Sequence, residues 1–154
     1  MNCAFNIMTQ EQAETIAFTW HYEGDYSFYD MEEDQEDLAE FLHPEARGDT
    51  IYAVTSEGEL IAFLSVTMVS SNTFDIGLGM KPNLTGRGKG EQFLRAAIDF
   101  MRSKYRVEKI TLSVTTFNQR AIKVYRKIGF KDAGLMMQDT NGGTYEFLHM
   151  EYLI

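Results

Sequence analysis

Thr73-Phe74-Asp75-Ile76-Gly77-Leu78-Gly79-Met80-Lys81-Pro82-Asn83-Leu84-Thr85-Gly86-Arg87-Gly88-Lys89-Gly90 runs from a β-rich segment into a turn rich in glycine and positive charge. Directly after it, Phe93, Leu94, Ala97, Ile98 and Met101 recur at helical spacing, which predicts a helix over about 89–104. A strand, a glycine turn and a helix in that order leave free backbone N–H groups at the helix start, where the dipole favours an anion. Glycines there let the main chain approach phosphate oxygens without side-chain clash. Arg87 and Lys89 add positive charge, so a diphosphate ligand fits. Two common phosphate motifs do not. The Walker A pattern has Asn83 in place of its first Gly and Gly90 in place of its Ser/Thr. The dinucleotide fingerprint has Glu91 at its third glycine, and the strand that feeds the turn is the fourth of the chain rather than the first.

Upstream of that stretch, residues 3–8 read as a short strand, and Thr9-Gln10-Glu11-Gln12 as a capping box that opens a helix carrying Ala13, Ile16, Ala17 and Trp20. Residues 23–33 are aromatic and acidic without a helical period and are assigned to a loop. Asp34 to His43 reads as a second helix, stopped by Pro44. Residues 50–55 and 59–69 form a hairpin around Ser56-Glu57-Gly58. Downstream, Val107 to Val114 reads as a strand and Asn118 to Lys127 as a helix ended by Gly129. Strands over about 130–138 and 144–153 flank Asn141-Gly142-Gly143. The element order is β-α-α-β-β-β-α-β-α-β-β. It predicts one α/β (α+β) domain over 1–154, a mixed sheet with helices on its faces and parallel neighbours at the two later helix crossovers.

The 154 residues, 44% hydrophobic and 24% charged, suit a single globular domain and exclude wholesale disorder. One cysteine, Cys3, excludes an internal disulfide framework and is expected to be a buried thiol. No apolar run reaches membrane-helix length, and the N-terminal residues lack a signal-peptide pattern, so a cytoplasmic protein without a membrane partner is expected. The net charge of −9 is uneven. Residues 1–46 hold 12 acids and no Lys or Arg, whereas residues 81–131 hold 13 basic residues and three acids. The overall negative charge, and the interleaving of these bases with apolar helix positions, argue against a nucleic-acid surface.

A second motif follows about thirty residues on: Asn118-Gln119-Arg120-Ala121-Ile122, Tyr125 and Gly129-Phe130. Together with Gly79-Met80-Lys81-Pro82 and Thr85 to Gly90, it resembles the GCN5-related N-acetyltransferases, in which the first motif binds acetyl-CoA. Thr85 stands where that family usually has Gln or Arg. The resemblance implies a mostly antiparallel sheet with helices on both faces. Leu78, Gly79 and Met80 would pair with the pantetheine arm like an added strand. The N–H groups of Thr85, Gly86, Arg87, Gly88, Lys89 and Gly90 would hold the pyrophosphate. Asn118 and Ala121 would lie along the cofactor. Tyr125 would protonate the leaving thiolate, and the N–H of Met80 would polarise the thioester carbonyl.

On this reading, an amine-bearing small molecule or peptide accepts the acetyl group. Asp75 is a candidate general base, with a strand-end carboxylate facing water as its plain alternative. Tyr22, Tyr26, Phe28 and Tyr29 would form an acceptor wall. An acceptor side lined by acid would suit a polyamine, an aminoglycoside or a basic N-terminus. His21, His43 and His149 show neither metal spacing nor a triad partner, and no metal is expected. A homodimer through an exposed C-terminal strand fits the family. A module that holds coenzyme A without catalysis stays open, and Tyr125→Phe separates it from an enzyme.

Overall fold

The computed structural model describes residues 2–85 and 88–154. The chain opens with strand β1 (Ala4–Ile7) and helix α1 (Gln10–Thr19). Thr9 Oγ1 accepts from the Gln12 N–H, and Gln12 Oε1 accepts from the Thr9 N–H, so the expected capping box forms. The aromatic–acidic segment read as loop instead winds into two 3₁₀ turns, Gly24–Tyr29 and Met31–Glu33. Asp34 caps α2 (Gln35–Leu42) by accepting from Asp37 N at 3.0 Å. Pro44 does stop that helix, but its fixed φ also starts a single further turn, α3 (Pro44–Arg47). Arg47 is buried there. It donates to the Phe41 carbonyl at 2.7 Å and to Gln10 Oε1 at 3.0 Å, which clamps α1 and α2 together.

The remaining elements are β2 (Ile51–Ser56), β3 (Glu59–Met68), β4 (Thr73–Met80), α4 (Lys89–Lys104), β5 (Lys109–Thr115), α5 (Gln119–Ile128), β6 (Lys131–Thr140) and β7 (Gly143–Leu153). They form a seven-stranded sheet in the order β1-β2-β3-β4-β5-β7-β6. All neighbours are antiparallel except β4 and β5, which the α4 crossover makes parallel. The α5 crossover gives no parallel neighbours, contrary to the sequence expectation. The hairpin that follows it folds back so that β7 lies between β5 and β6, leaving β6 at the edge. The predicted stripe on α4 is buried, and with Ile122 of α5 it packs on Ile76, Ile110, Leu112 and Met150. Fully burying a side chain of this size contributes roughly 1.5–3 kcal/mol. Ala13, Ile16, Ala17 and Trp20 form a second, smaller core with Phe41 and Ala53. Cys3 is half-buried rather than buried. None of the described helices is long and apolar enough to cross a membrane.

Candidate active site

The parallel pairing of β4 with β5 covers only Thr73–Asp75 against Lys109–Thr111. Beyond it β4 stays paired with β3 as far as Met80, and β5 stays paired with β7 as far as Thr115. The sheet therefore parts between Asp75 and Met80. Lys81 N donates to the Ile61 carbonyl at 2.8 Å, and the same ladder pairs Ala62 with Met80. Because hydrogen-bonded and non-hydrogen-bonded pairs alternate along an antiparallel ladder, the main-chain groups of Leu78 and Met80 turn away from β3 into this gap. Those of Gly79 turn to β3, so two of the three residues expected to pair with a ligand arm are placed to do so.

A cavity of about 550 Å³ fills the gap. Its lining comes from both sides of the sheet: Leu94 of α4 and Val124 of α5 on one, Tyr22, Tyr26 and Phe63 on the other. Two ligands can thus meet inside it from opposite faces. Gly88 and Gly90 line one end. Gly88 is the N-cap of α4 with φ +74°, a conformation that favours glycine, and it offers no side-chain cap to the first-turn N–H groups. A diphosphate fits those donors, so the chain's residues suit a coenzyme A–type ligand. Thr85 also lines the cavity, with its hydroxyl donating to the Pro82 carbonyl at 2.8 Å. Gly86 and Arg87 lie outside the described residues. Lys89 does not join the cavity: it borders a separate shallow groove with Glu57 and Glu59.

Tyr125 projects into the cavity from α5, its ring 5.8 Å from that of Phe130. Its hydroxyl hydrogen-bonds to no described residue. Loss of water contact, and secondarily the nearby Tyr29, raise this phenol above the ordinary tyrosine range. It therefore stays protonated at any working pH and can donate. Gly129, at φ +128°, ends the helix as expected, and Phe130 N returns to the Tyr125 carbonyl at 3.0 Å. Asn118 lines the cavity, but both ends of its amide are engaged: Oδ1 caps α5 by accepting from Ala121 N at 3.2 Å, and Nδ2 donates to the Tyr29 hydroxyl at 3.3 Å. Ala121 also lines the cavity.

Of the four residues proposed from the sequence as an acceptor wall, Tyr22, Tyr26 and Tyr29 line the cavity and Phe28 does not. The Phe28 ring packs behind them on Tyr145, with centroids 4.6 Å apart, and on Phe117, at 5.7 Å. The wall is tied down by polar contacts. The Tyr22 hydroxyl donates to the Met80 carbonyl at 2.7 Å, and the Tyr29 hydroxyl bonds to Thr115 Oγ1. Asp30 accepts from Tyr22 N at 2.7 Å and lies 3.1 Å from His21 Nδ1. That contact raises the His21 imidazole above its usual range. Asp34 also accepts from Asn141 N and Thr140 Oγ1, and the Asp37 N–H of the α2 cap, followed by these bonds, holds its carboxyl below the usual range. No acidic side chain is among the described residues that line the cavity, so the condition under which a polyamine or aminoglycoside would be favoured is not met there.

Asp75 is also outside the lining. It accepts from the Thr111 hydroxyl at 2.7 Å. Ser113 does line the cavity, and its hydroxyl is 3.2 Å from His149 Nδ1 on the neighbouring strand. Sequence reasoning passed over this pair because 36 positions separate its members and only the β5–β7 register brings them together. It also missed Phe63, Met31 and Arg120. Arg120 sits inside the motif read for Asn118 and Tyr125, so its proximity to the site was legible there.

A sequence profile described as the acetyltransferase (GNAT) family matches residues 15–130. The chain is 32% identical over 123 residues to streptothricin acetyltransferase of Streptomyces lavendulae, covering 78% of this chain and 63% of that protein. It is 28% identical over 101 residues to the L-amino acid N-acetyltransferase AaaT of Escherichia coli (strain K12), covering 63% of this chain and 59% of that one. The chain thus spans less than two thirds of the length of these curated relatives. The fold matches that of aminoglycoside acetyltransferase AAC(6')-Ib in complex with coenzyme A, with a TM-score of 0.73 at 18% identity over 99% of this chain and 95% of that one. A parted β4–β5 pair, a glycine N-cap below it, a phenol facing the gap and a profile match over most of the sequence agree: the chain belongs to the acetyltransferase (GNAT) family.

Proposed function

We propose that the protein is an N-acetyltransferase that moves an acetyl group from acetyl-CoA to a primary amine by direct attack. The observation that carries this reading is the Tyr125 hydroxyl, which hydrogen-bonds to no described residue and faces a cavity that opens to both sides of the sheet. The donor's amide arm lies along Leu78 and Met80, and its diphosphate sits at the first turn of α4. The amine nitrogen forms a bond to the acetyl carbon as the carbon–sulfur bond breaks. The electron pair leaves on sulfur, which takes the proton of Tyr125, and the Met80 N–H holds the developing oxyanion. For the proton that the nitrogen sheds, Ser113 and His149 are better placed than Asp75, because Ser113 borders the cavity and Asp75 does not.

Acetyl-CoA is expected to raise the melting temperature of the protein, and amines to release free thiol from it in a spectrophotometric assay. Donor binding without turnover on any amine would leave only a coenzyme A–binding module. No shift at all would remove both readings. Within the enzyme, His149→Ala is expected to lower kcat about 100-fold, with Asp75→Asn close to wild type. The reverse order would place the base on Asp75.

A homodimer through β6 is part of the same proposal. Nine of its ten residues are exposed, including Leu135 at 63% and Met137 at 62%, and an unpaired apolar edge is a template for a second copy. Sedimentation equilibrium is expected to give the dimer mass, and the monomer mass for Leu135→Lys with Met137→Lys. A wild-type monomer would refute it. A cytoplasmic location goes with the use of acetyl-CoA as donor.

A further inference from the structure

We infer that the acceptor amine carries a carboxylate and that Arg120 receives it, which makes the substrate class an α-amino acid with an apolar or aromatic side chain. The inference rests on the acetyltransferase reading above. Arg120 is the one charged side chain among the described residues that line the cavity. Its guanidinium lies over the Tyr26 ring, 4.3 Å from the centroid, and it makes no hydrogen bond or ion pair with any described residue. This contact uses none of its N–H donors in a hydrogen bond, and a guanidinium with donors to spare can take a carboxylate through two parallel bonds. Two acids next to this wall are already engaged, Asp30 by Tyr22 N and His21, and Asp34 by the α2 cap and Asn141.

Arg120 is also at the wrong end of α5 to serve the donor's phosphates. Lys127 Nζ lies 2.8 Å from Glu91 Oε1, so the last turn of α5 is the part next to the first turn of α4. Arg120 is seven residues earlier, about 10 Å back along the helix axis. There it adjoins Tyr22, whose phenol feels its charge. The rest of that wall, Tyr29, Met31 and Phe63, is apolar or aromatic and suits an uncharged side chain. A polyamine would instead bring extra positive charge against the guanidinium with no carboxylate lining to offset it.

Matched pairs that differ only in the carboxylate test this directly. At saturating acetyl-CoA, L-phenylalanine is compared with 2-phenylethylamine and L-leucine with 3-methylbutylamine, each corrected for its free-amine fraction, with spermidine alongside. The amino acid of each pair is expected to show a kcat/KM about 10- to 100-fold higher, the range that one charge-assisted hydrogen-bonded contact supplies. Arg120→Gln is expected to bring the ratio close to one by raising the amino-acid KM, while the melting shift given by acetyl-CoA is retained. Equal or better turnover of the decarboxylated amines or spermidine would overturn the inference. So would an unchanged ratio in Arg120→Gln, or loss of the acetyl-CoA shift in that variant, which would assign Arg120 to the donor. Donor binding with none of the five amines acetylated would sink the substrate class and leave the donor site standing. Absence of any acetyl-CoA shift in the wild type would sink the acetyltransferase reading itself.

Discussion

Tyr125→Phe is expected to lower kcat by about 100- to 1,000-fold, within the range that a positioned proton donor contributes, and to leave the KM for acetyl-CoA within about twofold. The substitution is unusually clean. The hydroxyl hydrogen-bonds to no described residue, so its removal orphans no donor or acceptor, and the ring keeps its packing on Phe130. The stability change is therefore expected to stay within about 0.5 kcal/mol, measurable by urea unfolding. The raised phenol fixes the pH dependence. A group whose pKa is raised on folding keeps its proton up to that higher value, so the donor form is present throughout the range in which the acceptor amine loses its own proton. The profile of kcat/KM should rise as the amine deprotonates, with no falling limb from loss of the phenol proton up to at least about pH 10, where an unperturbed tyrosine titrates. A Tyr125→Phe enzyme with a rate within threefold of wild type would reduce Tyr125 to a packing residue of the cavity wall.

Gly79→Ala is expected to disrupt fold and site at once. A Cβ at this position would stand 2.0–2.7 Å from three ring atoms of Phe63, the residue that pairs with Gly79 across β3 and β4. The ring cannot retreat away from the cavity, because Trp20 and Phe41 pack on it with centroids 6.5 and 5.6 Å away. It must move into the space where the two substrates meet. Overpacking of this kind costs about 1–3 kcal/mol, and acetyl-CoA affinity should fall at least tenfold, read by calorimetry. Gly77→Ala should be milder: its Cβ meets Ser65 Oγ at 2.5 Å, and a small hydroxyl can rotate aside. Trimming the obstruction with Phe63→Leu in the Gly79→Ala background should recover much of the binding, a coupling expected only of residues in contact. Wild-type affinity and stability in Gly79→Ala would show that β4 gives way there instead.

The two glycines illustrate how far the linear pattern reaches. Gly79 reads, with Leu78 and Met80, as a place where a ligand's backbone-like arm pairs with the strand, and Gly77 carries no such role. In the structure their missing side chains also make room for Ser65 and Phe63 of the neighbouring strand, a requirement that appears only once the β3–β4 register is known. Lys89 and Phe28 belong to the same class. Both lie within segments whose other residues line the cavity, yet Lys89 faces a different groove and Phe28 packs behind the tyrosines. A residue's place in a motif does not fix which way its side chain leaves the backbone.

Local chemistry was enough to determine most of the longer elements, though not the two 3₁₀ turns over Gly24–Tyr29 and Met31–Glu33 or the short α3. The Thr9–Gln12 box, the Asn118 cap and the Gly129 stop act within a few residues of themselves, through hydrogen bonds and dihedral preferences that need no distant partner, and the spacing of the α4 stripe is legible in the same short window although its burial is not. The order of those elements then restricted the fold to a sheet crossed by helices. Tertiary structure alone decided where β4 and β5 part company, that β7 inserts between β5 and β6, that His149 meets Ser113, and that Arg120 is the one charged side chain among the described residues lining the cavity. Each of these depends on pairings between residues dozens of positions apart, and the free energy that selects them comes from burying one complete set of side chains together rather than from any single stretch of chain.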